Sequence, residues 1–232
     1  MKRMLVLGFA SVLAAAGVNA AVTDDFESYA VGSNIHGQGG WKGWDNTASA
    51  GATISDAFAA SGTKSVNITG GSDLVREFVG VTSGVWSLTV KQFIPSTSSG
   101  TSYFILMNKY KDLGAAADYN WSAQIQHNMA SGYLTNDLTG VSAALVKNAW
   151  VDYRFDIDLD QGRVSEYYNN QLLGTRLWQD GGVNALAAID LYANNAGPIY
   201  YDNFSLTQVP EPTTAALLGL GLAAFLFRRR VS

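Results

Sequence analysis

The chain contains no cysteine, which excludes a disulfide framework, a thiol nucleophile and cysteine-ligated zinc. Histidine is nearly as scarce. His36 sits in a glycine-rich stretch and His127 ends a strand-like run; with no nucleophile motif beside either, both read as surface or packing residues. Glutamate is thin between the two ends, where Glu27, Glu77 and Glu166 stand far apart, and no E-x-D-x-E strand occurs. The paired carboxylates that glycoside hydrolysis requires are therefore missing as a local motif. Asp156 and Asp158 share a strand face, but so do Asp152 and Asp160, and that row reads as a solvated face. Gly37-Gln38-Gly39-Gly40 lacks the lysine and following helix of a phosphate loop. Catalysis is accordingly not expected.

Long apolar runs are confined to the two ends. At the N-terminus Lys2 and Arg3 precede an uncharged stretch over residues 4–16, and Val18 and Ala20 supply the small residues of a signal-peptide cleavage site. The expected cut lies between Ala20 and Ala21, so residues 1–20 form a signal helix. Near the C-terminus residues 213–227 carry no charge. As a helix of about 1.5 Å per residue they would span about 22 Å, short of a bilayer core of about 30 Å. Arg228, Arg229 and Arg230 would hold the end of this transmembrane helix at the cytoplasmic side.

Val209-Pro210-Glu211-Pro212, a short apolar segment and a terminal arginine cluster together resemble the PEP-CTERM sorting signal of Gram-negative bacteria. The resemblance implies an exosortase-type enzyme as partner, with the body exported through the inner membrane to the cell surface or extracellular matrix. Two prolines suit such a site, because they keep the chain extended just outside the membrane. The expected organisation is a signal peptide at 1–20, one domain at 21–207 and a sorting tail at 208–232.

Of fifteen basic residues, two lie in the leader and three in the tail; of nineteen acidic residues only Glu211 lies outside the body. Ten against eighteen leaves the exported body at −8, a surface that repels phosphate backbones, so no nucleic-acid partner is expected. Its patterning is that of strands. In WVDYRFDIDLD, Val151, Tyr153, Phe155, Ile157 and Leu159 alternate with charged residues. Asn169-Asn170 suits a tight hairpin turn after it. VWSLTVKQFI, SYFILMNKY, WSAQIQHN, ALAAIDLYA and IYYDNFSL read as further strands, and no part of the body shows sustained helical periodicity. The expected fold is an all-β, antiparallel two-sheet sandwich. DDFESYAVGSNIHGQGGW, W-x-x-Y-x-F-x-I-D-L with YYNNQLL, and AAIDLYANNAGPIYYDNFSL resemble concanavalin A-like (laminin G-like) jelly rolls. That fold hosts lectins, glucanases and adhesive modules alike.

A sugar site needs aromatic faces for pyranose rings and amides or carboxylates for hydroxyls. Trp41 and Trp44 in WKGW, with Gln124, Gln126 and Asn128 on one face of a strand, are the candidates. Trp86 and Trp150 read as core or sheet edge. The resemblance also implies a structural calcium between first and last strands, with Asp25, Glu27 and Asp202 as oxygen ligands. The other reading of Asp202 has it accept backbone hydrogen bonds and cap the sandwich. The expectation is a non-catalytic, polysaccharide-binding surface module. A structural matrix protein and a divergent glycoside hydrolase or lyase are the alternatives.

Overall fold

The computed structural model describes residues 21–178 and 182–210. The signal peptide through Ala20, and Glu211, Pro212, residues 213–227 and Arg228 to Arg230 of the sorting tail, lie outside the described residues. Among the described residues no helix is long and apolar enough to cross a membrane.

The first strands are β1 (Val22–Asp24), β2 (Trp41–Gly43), β3 (Thr53–Ser55), β4 (Ser65–Ile68) and β5 (Asp73–Glu77). Then come β6 (Val85–Phe93), β7 (Thr101–Lys109), β8 (Asn120–Asn128), β9 (Tyr133–Asn136) and β10 (Ser142–Ala144). The last are β11 (Trp150–Asp158), β12 (Arg163–Tyr168), β13 (Gln171–Leu177), β14 (Ala188–Tyr192) and β15 (Ile199–Val209). They form two antiparallel sheets. One has the order β13-β12-β11-β6-β15-β4-β3 with β1 also on β15; the other runs β10-β9-β8-β7-β14-β5-β2.

The expected alternation of β11 is present: Val151, Tyr153, Phe155 and Ile157 are buried between the sheets while Asp152, Arg154, Asp156 and Asp158 face outward. The β12–β13 hairpin turns on Asn169 and Asn170 at φ 48° and 62°, a left-handed pair that asparagine tolerates. Rings dominate the inter-sheet core, with Phe104 of one sheet 5.0 Å from Tyr153 and 5.2 Å from Phe155 of the other. Trp86 is buried in that core, and Trp150 packs at 5.5 Å on Phe93.

One ion pair lies inside. Glu166 of β12 is bound by Arg176 of β13 at 2.6 Å and by Asn136 of β9, so charge and amide link the two sheets at one side. Arg176 also donates to the Ser122 carbonyl. The final strand pairs with β6 as far as Val209 opposite Val85, so strand pairing runs two residues past the expected boundary at Thr207.

Candidate functional site

The outer face of the seven-stranded sheet carries the chemistry. Alternation turns Tyr103, Ile105 and Met107 of β7 outward, with Ala188, Asp190 and Tyr192 of β14 and Asp73 and Val75 of β5. Across the register Asp190 lies between Ile105 and Val75, Tyr192 between Tyr103 and Asp73, and Gln124 beyond Ile105. A bulge between Leu106 and Met107 brings Trp121 opposite Met107.

Loops build a rim of rings over this floor. Val75, Ile105, Met107 and Ala188 form a second apolar cluster, packed by Trp44, Tyr103, Tyr110 and Tyr119. Trp44 follows directly on β2. Its ring stacks on Tyr119 at 5.3 Å and meets Tyr110 edge-on at 5.0 Å, and Tyr119 is 6.4 Å from Trp121. The Asp45 carboxylate ties the two loops, accepting the Leu113 N–H at 2.8 Å and the Tyr119 hydroxyl at 3.2 Å. Two adjoining hollows of about 400 and 330 Å³ result, both lined by Trp44, Asp73 and Tyr192. The larger adds Tyr103, Trp121, Gln124 and Asp190. Trp121 is 39% exposed, and Tyr103 stacks on Tyr192 at 6.0 Å.

At the centre, Asp73 of β5 and Asp190 of β14 are diagonal neighbours on one face, line the same hollow and act on each other's protonation. Two like charges this close and this buried disfavour joint ionisation, so the pair favours a shared proton. Burial raises both: Asp190, 3% exposed, stands well above the usual carboxylate range, and Asp73 is raised as well. The Oδ1 atoms of Asp73 and Asp190 find no protein donor. Both atoms are buried.

The residues expected from sequence divide. Trp44 and Gln124 line the same hollow. Gln124 donates to Asp137 at 2.8 Å, and Gln126 beside it donates to the Tyr103 hydroxyl at 3.1 Å. Trp41 does not join them. Strand β2 turns it inward, 1% exposed, with rings of Phe26 at 5.8 Å and Phe204 at 5.5 Å and its indole N–H on Asp24 at 2.9 Å. Asn128 accepts the N–H groups of Ala130 at 3.1 Å and Ser131 at 3.0 Å, and so shapes a turn. Asp73, Asp190, Tyr103, Tyr192 and the exposed ring of Trp121 were not singled out by the sequence. The available signal was the outward parity of DLVRE, SYFILM and AIDLY, which becomes readable only once the strands are known to be neighbours.

The carboxylates assigned to calcium are engaged by backbone. Asp202 accepts N–H groups of Ala60 at 2.7 Å, Ser61 at 3.1 Å and Asn203 at 2.6 Å. Glu27 accepts those of Thr63 at 2.8 Å and Lys64 at 2.6 Å, and Asp25 that of Glu27 at 3.2 Å. Among the described residues no group of three or more His, Cys, Asp or Glu side chains is placed to hold a metal ion. The arrangement is that of a loop cap. A larger hollow of about 450 Å³ at the sheet margin is lined by Asp24, Tyr29, Arg76 and Asn203. Phe204 in its lining and Trp41 beside it are buried under Arg76, and the Tyr29 hydroxyl is tied to Asp24 at 2.6 Å.

His127 is a packing residue. It lies buried between the sheets, 2.7 Å from the Tyr153 hydroxyl and 3.2 Å from both Gln92 and Ser102. Burial pushes its pKa down to about 3, so it is neutral.

No curated protein matches the chain by sequence. Among solved structures it is similar to a cellulose-induced protein, Cip1, at a TM-score of 0.50 and 12% identity, covering 80% of this chain and 96% of that one. A sialidase aligns at 0.51 and 10% identity over 82% of this chain but 18% of its own. A Trypanosoma rangeli sialidase aligns at 0.50 and 11% over 69% of this chain and 28% of its own. These likenesses are of fold. Residues 208–230 match the PEP-CTERM protein-sorting motif, which indicates an exported protein, and the body it follows is an antiparallel two-sheet sandwich with jelly-roll neighbours.

Proposed function

We propose that this exported protein is a non-catalytic glycan-binding module, whose site is the ring-lined groove on the outer face of the seven-stranded sheet. The observation that carries this reading is the convergence of Trp44, Trp121, Tyr103 and Tyr192 around Gln124, Asp73 and Asp190. Rings supply stacking faces for pyranoses, and amide and carboxyl oxygens accept their hydroxyls. The PEP-CTERM motif supports processing by an exosortase, and anchoring through residues 213–227 before display at the surface or in the matrix.

The acid pair is the feature that favours a hydrolase as second reading. Its protonation speaks against that. Glycosidases need one carboxyl ionised as nucleophile or base beside a protonated acid. Burial raises both Asp73 and Asp190, and neither has a basic partner that would hold it ionised.

Polysaccharide retention and thermal melting, measured together, test the proposal. Trp121→Ala should abolish retention with almost no change in melting, because that ring is half-exposed. Trp44→Ala should abolish it too, with some loss of stability from uncovering part of the outer apolar cluster. Unchanged retention by folded Trp121→Ala would return the structural-matrix reading to the front.

A further inference from the structure

We infer that the groove selects uncharged, hydroxyl-rich glycans and rejects uronate-bearing ones, with the Asp73–Asp190 pair as the charge filter. The inference rests on the glycan-binding reading and adds the class of polymer to it.

The groove's charges are all of one sign. The lining of its two hollows includes Asp45, Asp73 and Asp190 and no lysine or arginine. The basic residues nearby are committed elsewhere. Lys42, beside the groove on β2, is held by Glu77 and Asp112. Arg76 of β5 points to the opposite face, where it meets Asp24 and covers Trp41 and Phe204. Lys109, at the far end of β7, lines neither hollow.

The pair itself is matched to hydroxyls. With one proton shared, it is a carboxyl and a carboxylate side by side, one negative charge set in the lining of the larger hollow. Asp190 is almost wholly buried at the floor of the larger hollow, so its charge gains little from bulk water. A neutral glycan brings hydroxyl donors towards that charge and no charge of its own. A uronate offers the same rings for stacking but brings a third carboxylate to two, with no counter-charge in reach and a low-dielectric floor beneath. The rings attract either class; the pair separates them.

The test uses the full chain in electrophoresis through gels containing a neutral polymer (galactomannan, xyloglucan or a β-1,3-glucan) or a uronate (alginate or polygalacturonate). Retention on a neutral polymer should exceed that on both uronates by at least about tenfold at low salt, and added salt should narrow the gap. Asp73→Asn/Asp190→Asn should bring the ratio of neutral to uronate retention down towards one, whatever its effect on the neutral polymer; Asp73→Asn alone, at the more exposed partner, serves if the double variant fails to fold. Equal retention of both classes, lost in Trp121→Ala, would overturn the charge filter and leave the binding site standing. A folded Asn variant that still rejects uronates would also overturn it. Retention of no polymer would remove both the filter and the glycan-binding reading.

Discussion

Trp41 and Trp44, three residues apart, take opposite roles, and their substitutions should separate cleanly. Trp41→Ala removes a buried indole from the core and should cost about 3 to 5 kcal/mol in chemical denaturation. On the clearest strand, Phe155→Asp places a charge between the sheets and should prevent folding, whereas Asp156→Asn loses only exposed contacts to Ser87 and Arg154 and should change little. Circular dichroism and solubility of the two variants decide that register. His127 makes stability pH-dependent. Its folded pKa of about 3 lies below the ordinary 6.5, so the unfolded chain takes up the proton first as pH falls. Its stabilising contribution is therefore full above about pH 6.5 and declines by about 1.4 kcal/mol per unit towards pH 3. His127→Gln should flatten that slope. Comparing urea midpoints of wild type and variant between neutral and acid pH isolates this residue from the raised carboxyls of Asp190 and Glu166, which act in the opposite direction. The parity of Phe155 was legible because a nine-residue strand repeats it; the fate of Trp41 was not, because β2 is three residues long and shows no period.

At the scale of elements, turns and strand edges decide what the strands can present. Gly43 ends β2 where a Cβ would lie 2.0 Å from the Thr47 carbonyl oxygen. Gly43→Ala must therefore displace the turn that seats Trp44, and should weaken glycan retention well beyond its effect on melting. Unchanged retention would mean that Trp44 is seated by its ring contacts alone. The Glu166–Arg176 pair joins strands of one sheet to Asn136 of the other in a nearly closed interior. Arg176→Met strands the Glu166 charge and should cost about 3 to 5 kcal/mol, while Glu166→Leu/Arg176→Met should recover much of that loss, both read by denaturant midpoints. In the sequence Glu166 stands isolated. Its partners come from the next hairpin strand and from β9, thirty residues earlier. The Asn169-Asn170 turn was legible, because two left-handed residues in a two-residue loop require a composition that local sequence displays.

For the whole molecule, the sorting motif and the proposed binding groove lie in different parts of the chain. The sandwich continues in regular pairing to Val209, the first residue of the V-P-E-P motif, so the tail leaves directly from a strand end. Replacing Pro210-Glu211-Pro212 with alanines should leave export intact and yield a larger, membrane-retained species in a host that has the sorting enzyme, as seen by mass and fractionation. The sequence by itself determined the all-β class, the faces of the long strands, the absence of cysteine chemistry and the sorting motif, because each is written in residues adjacent along the chain. Only the tertiary structure decided the groove. β14 is inserted between β7 and β5, which precede it by more than seventy residues, and this insertion sets Asp190 beside Asp73 and Tyr192 beside Tyr103. Strand order in an antiparallel sandwich follows from which apolar faces pack together across the whole core, and the residues that become neighbours outside it are a consequence that no local pattern records.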